Sequence, residues 1–89
     1  MGYNLPLYNN LKMKEMALER LDALGYKWAS GSKLNFMGFF CTQLFASIQI
    51  HVDGKYVRYS THHIHFRTSE IQEDINFNLL MSDAAKEIL

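Results

Sequence analysis

The sixteen residues ASIQIHVDGKYVRYST, positions 46–61, constrain the fold more than any other stretch. Two β-prone runs flank Asp53-Gly54. That dipeptide suits a two-residue type I′ turn, which needs positive φ at both centre residues. In that register Val52 faces Lys55, Ile50 faces Val57 and Ile48 faces Tyr59. Lys55 apart, these residues make an apolar face. The opposite face pairs His51 with Tyr56, Gln49 with Arg58 and Phe45 with His62. A lone hairpin is marginal in water, so its apolar face needs a second layer.

Residues 11–24, LKMKEMALERLDAL, supply that layer. Met13, Ala17, Leu21 and Leu24 recur at helical spacing with Leu18 on the flank, and Glu15, Glu19 and Asp22 lie opposite. Asn9 or Asn10 can cap the helix start, and Gly25 stands where a left-handed residue ends it. In GYKWASGSKL, Tyr26 and Trp28 alternate with Lys27 and Ala29 as in a short strand, and Ser30-Gly31-Ser32 turns the chain. The stretch LNFMGFFCTQLF, 34–45, has no clean period and reads as a bulged strand or an irregular loop. Further on, Ser69 and Gln72 resemble a capping box, with Ile71, Ile75 and Leu79 at helical spacing. This predicts a helix near 69–76, although Ile75, Phe77 and Leu79 also alternate as a strand would. Ser82-Asp83 is expected to cap a last helix in DAAKEIL.

The expectation is therefore one α+β domain over residues 1–89. One amphipathic helix packs on a three- to four-stranded antiparallel sheet, closed by a short C-terminal helical segment.

Charge is balanced, nine basic residues against nine acidic, and the lysines and arginines are spread singly along the chain. A nucleic-acid partner is not expected, because such proteins present a basic face. Only Lys27, Lys33, Lys55, Arg58 and Arg67 are available to make one. The least charged stretch, Leu34 to Ile50, is too polar to span a bilayer, and the opening MGYNLPLYNN lacks a signal-peptide pattern. One cysteine and five methionines suggest a reducing, cytoplasmic setting.

Three histidines crowd into STHHIHF, residues 60–66. His63 and His65 point the same way on a strand, but the hairpin register sends His51 and His62 to the other face, so a zinc site is not expected. Cys41 lies in apolar GFFCTQL, which favours an inert buried thiol over a nucleophile. No Gly-rich phosphate loop or carboxylate pair stands out. The expectation is a protein without catalytic residues, metal or cofactor.

The stretch from Leu18 to Leu24, followed by Gly25, Tyr26, Trp28, Ser30 and Gly31 and then by Ile48 to Tyr59, resembles small accessory proteins of Gram-positive phages and prophages. In these a helix runs into Gly-Tyr-x-Trp-x-Ser-Gly and a short sheet follows. The resemblance covers roughly half the chain and speaks more to fold than to function. Some small phage proteins of this size disarm host defences by binding an effector, so the resemblance implies a non-enzymatic, protein-binding role in the host cytoplasm. The aromatic segment Phe36, Met37, Phe39, Phe40 and Phe45 is the expected contact surface, with Tyr56, Arg58 and His62 beside it. Homo-oligomerisation fits so small a core. The alternative is a module for a nucleotide-like small molecule, with an aromatic pocket whose polar groups are Arg58, Tyr56 or His51.

Overall fold

The computed structural model describes residues 2–7, 10–34, 47–60 and 71–89. Along the chain these form β1 (Gly2–Pro6), α1 (Leu11–Ala23), β2 (Lys27–Trp28), β3 (Ser47–His51), β4 (Tyr56–Ser60), β5 (Ile71–Asp74), α2 (Phe77–Met81) and α3 (Ala85–Ile88). The five strands make one sheet in the order β2-β4-β3-β1-β5. The α+β class is as expected. The sheet, however, is mixed: β3 is antiparallel to β1 and β4, whereas β2 runs parallel to β4 and β5 parallel to β1.

The hairpin register holds from Ser47↔Ser60 to His51↔Tyr56, including Ile48↔Tyr59, Gln49↔Arg58 and Ile50↔Val57, while the expected Phe45–His62 pair lies outside the described residues. The turn differs. Its loop is residues 52–55, closed by Lys55 N–H donating to the Val52 carbonyl at 3.3 Å. Positive φ falls on Lys55, at 54°, and not on Asp53 or Gly54. The longer loop therefore replaces the type I′ turn, and Val52 and Lys55 are loop residues instead of a strand pair.

β1 was not anticipated, since Gly2, Asn4 and Pro6 all weaken a strand signal. It forms because Tyr3 and Leu5 land opposite Ile50 and Ile48 and extend their apolar face. Pro6 is the last residue of the strand and lies beyond the β5 pairing, which stops at Asn4. β5 corrects the helix expected near 69–76: residues 71–74 are a strand, and the helix starts at Phe77. The true cap is Asn76, whose side chain accepts the Leu79 N–H at 2.7 Å. Ser82 does not cap α3 through its side chain; its hydroxyl donates to the Leu79 carbonyl at 2.7 Å.

α1 follows its sequence closely. Asn10 Oδ1 accepts the Met13 N–H at 3.1 Å. At the other end Gly25, at φ 93°, donates to the Asp22 carbonyl while Tyr26 N–H donates to that of Leu21. This is the Schellman arrangement, which satisfies two orphan carbonyls and which a left-handed glycine makes cheap. Ala17, Leu18 and Leu21 are buried against Leu5, Leu7, Ile48, Ile50, Val57, Tyr26, Ile75 and Leu80 in one core. Lys14 is buried on α1 with them. The Arg20 guanidinium donates to the carbonyls of Leu80 and Ser82 at 3.1 and 3.0 Å, tying α1 to the end of α2.

Candidate functional site

Parallel pairing sets Lys27 beside Tyr56 and Trp28 beside Val57, so β2 extends both faces of β4 at one edge of the sheet. On the core face, Trp28 is mostly buried and Tyr59 is 43% exposed. Their rings meet edge to face, 5.9 Å between centroids and 87° between planes. That is the geometry ring quadrupoles prefer.

The loop after β2 doubles back tightly. Trp28 N–H donates to the Ser32 carbonyl at 2.9 Å, and Gly31 N–H to the Trp28 carbonyl at 2.8 Å. Gly31 has φ 92°, which the turn requires and most side chains resist. Ser30 and Ser32 share a hydroxyl–hydroxyl bond of 3.2 Å. Between this loop and β4 lies a cleft of about 400 Å³, walled by Trp28, Val57 and Tyr59 with Lys33 and Arg58 at its polar side. A second cleft of about 300 Å³ shares Trp28, Ala29 and Arg58 and adds Lys27, Lys55 and Tyr56. No carboxylate lines either cleft among the described residues.

On the opposite face, Tyr56 stacks flat on its cross-strand partner His51, 4.4 Å between centroids and 8° between planes. The Arg58 guanidinium sits 5.7 Å from the Tyr56 ring centre. Lys55 is committed elsewhere: its ammonium lies 4.9 Å from the centre of the Tyr26 ring and donates to the Leu89 main-chain oxygen. Among the described residues, no hydrogen bond or ion pair engages the head groups of Lys33 or Arg58.

Of the expected contact residues, Tyr56 and Arg58 are therefore together at this edge. Phe36, Met37, Phe39, Phe40, Phe45 and His62 lie outside the described residues, as do Cys41, His63 and His65. Sequence reasoning missed Trp28 as a site residue and named Lys33 only among the cations available for a basic face. It placed Tyr59 on the buried face, correctly by register, but the strand runs past the cover of the core. The signal for Lys27, Lys33, Lys55 and Arg58 was present as a set of scattered cations, and the fold gathers them.

A groove of about 510 Å³ beside Pro6, Met13 and Phe77 is a weaker candidate, since its Asp74 and Asn76 already serve structural bonds. Among the described residues no three His, Cys, Asp or Glu side chains gather as metal ligands. No helix among them is long and apolar enough to cross a membrane. Comparison of the chain with protein-family models, with curated proteins and with solved structures found no match.

Proposed function

We propose that this is a non-enzymatic protein that acts by binding another protein, with the β2–β4 edge as part of its contact surface. The observation that carries the reading is the half-exposed Tyr59 braced by Trp28, with the exposed Arg58, engaged only by the Tyr56 ring among the described residues, on the same strand. Tyrosine, tryptophan and arginine are the side chains that dominate binding energy in protein interfaces. A rigid aromatic pair loses little entropy on binding, which strengthens the contribution. The resemblance to phage accessory proteins supports a role in disarming a host effector in the cytoplasm; Phe36, Met37, Phe39, Phe40, Phe45 and His62, which the sequence suggests as contacts, lie outside the described residues.

The second reading, a small-molecule module, draws on the cleft that Tyr56 and Arg58 line. Against it stands the exposure of that cleft's walls: Lys27, Ala29, Gly31, Gly54, Lys55 and Arg58 are all open to solvent. Sites for small ligands bury most of the ligand's surface.

The test is affinity capture with the wild-type chain and with an Arg58→Ala/Tyr59→Ala variant, checked for an unchanged melting transition. A defined protein held by the wild type and lost from the variant is expected, because losing such anchors costs on the order of 2 kcal/mol or more of binding. Equal recovery of every protein by both chains ends the proposal. Native mass spectrometry of the purified chain, if it shows a retained small molecule, moves the assignment to the second reading.

A further inference from the structure

We infer that the partner presents an acidic segment with an aromatic or aliphatic anchor to the β2–β4 edge. This rests on the protein-binding reading and names the chemistry of its partner. Three features carry it. The cleft floor is apolar, chiefly the exposed Tyr59 beside the nearly buried Trp28 with Val57 fully buried, so it accepts one apolar side chain. Lys33 and Arg58 border that floor with no carboxylate among the described lining residues, so they leave two positive charges to be matched from outside. The two clefts share Trp28, Ala29 and Arg58, and the loop after β2 lines both, with Lys27 in the second. Two open clefts with shared walls suit a chain segment passing over them better than a compact molecule enclosed by them. Charge complementarity of this kind chooses partners and speeds encounter.

Nucleic acid is the competing polyanion. Its binding grows with the number of phosphates neutralised along a groove. Here Lys55 is already tied to Leu89 and Tyr26, which leaves only Lys27, Lys33 and Arg58 lining the two clefts. That set matches a few carboxylates and makes no backbone track.

The experiment is selection of random displayed peptides on the full chain and on a Lys33→Glu/Arg58→Glu variant. Dissociation constants are then measured for the enriched peptides, for adenosine monophosphate and for oligo-dT. The expected result is enrichment of Asp and Glu around a Trp, Phe, Tyr or Leu. Binding should weaken about tenfold or more in the charge-inverted variant and should fall with added salt. The variant itself should select basic peptides. Lys33→Gln/Arg58→Gln, which neutralises without inverting, replaces the first variant if that one does not fold.

Peptides without acidic bias that still need Tyr59 would overturn the acidic chemistry and leave the protein-binding reading standing. Absence of both selected peptides and captured protein overturns the two together. Saturable binding of adenosine monophosphate or oligo-dT that is sensitive to the same charges, without peptide binding, reassigns the surface to that ligand. Self-association of the wild type that the variant loses, read by sedimentation, identifies the occupant as a second copy of this chain.

Discussion

Tyr26 concentrates much of the chemistry of this small core. It follows the glycine that ends α1, its ring is 1% exposed, and its hydroxyl has no hydrogen-bond partner among the described residues. Burial away from water, with the nearby Tyr3 phenol adding to it, pushes the Tyr26 hydroxyl up to about 12 from its usual 10.0. The neutral form is thus favoured by folding. In the unfolded chain the phenol ionises near pH 10, while the folded chain keeps its proton until about pH 12. Between those values the native state binds more protons, so stability is full below pH 10 and declines as pH rises. Two pH units of difference correspond to roughly 2–3 kcal/mol. Urea unfolding at pH 8, 10 and 11.5 should show this loss in the wild type, with a shallower decline in Tyr26→Phe. Parallel declines in the two proteins would remove Tyr26 as the cause. Sequence placed Tyr26 in a strand, but nothing in GYKW indicates that the hydroxyl, as well as the ring, is enclosed; that depends on Tyr3 arriving from a strand far away in the chain.

At the scale of elements, what was readable is what short-range patterns decide. The helix of LKMKEMALERLDAL, its Asn10 cap and its Gly25 terminus form as expected because each depends on residues within a turn or two. The β3–β4 register is likewise local. The β5–α2 boundary was misread because Ile71, Ile75 and Leu79 satisfy helical spacing while parallel pairing with β1 holds residues 71–74 extended. Non-local pairing overrode a local pattern. The turn at 52–55 gives a sharper case. Gly54 is not there for positive φ, which Lys55 carries; instead a Cβ at Gly54 would stand 2.7 Å from Cδ1 of Tyr56. Tyr56 is held by its stack on His51, so it cannot swing away freely. Gly54→Ala should therefore destabilise the protein by about 1–3 kcal/mol, in the range of overpacking. In a Tyr56→Ala background the same change should cost little, since the obstructing ring is gone. A double-mutant cycle measured by urea unfolding isolates that coupling. Costs that are equal in both backgrounds would trace the glycine to backbone conformation instead.

At the scale of the whole molecule, a net charge of zero hides a division between the edges of the sheet. Lys27, Lys33 and Arg58 collect at the β2–β4 edge, while Glu73 and Asp74 are exposed on β5 at the other. Composition sums over that division, so balanced charge argues against a strongly basic protein but not against a basic face. The candidate site was half legible for the same reason: Tyr56 and Arg58 follow from the hairpin, whereas Trp28 and Lys33 join them only through parallel pairing of β2 after the α1 crossover. That crossover starts from β1, three positions away in the sheet. β1 lies between β3 and β5, and its Tyr3 and Leu5 extend the apolar face of the hairpin. The fold is therefore organised around a strand that its own sequence barely announces. Leu5 is fully buried, with Leu7, Leu18 and Ile48 in the same core. Truncating such a leucine removes its transfer energy and leaves a cavity, a cost of roughly 2–5 kcal/mol. A domain of this length has a total stability of about 5–10 kcal/mol, so much of it goes with that one change. Tyr59, half exposed, should lose far less on truncation. Leu5→Ala and Tyr59→Ala are thus expected to separate cleanly. The first should lower the urea midpoint by a large fraction and raise amide exchange across β3 and β5; the second should leave both close to wild type while weakening partner binding. A Leu5→Ala protein as stable as the wild type would mean that β1 is peripheral, and that the sheet holds together from β3 and β4 alone.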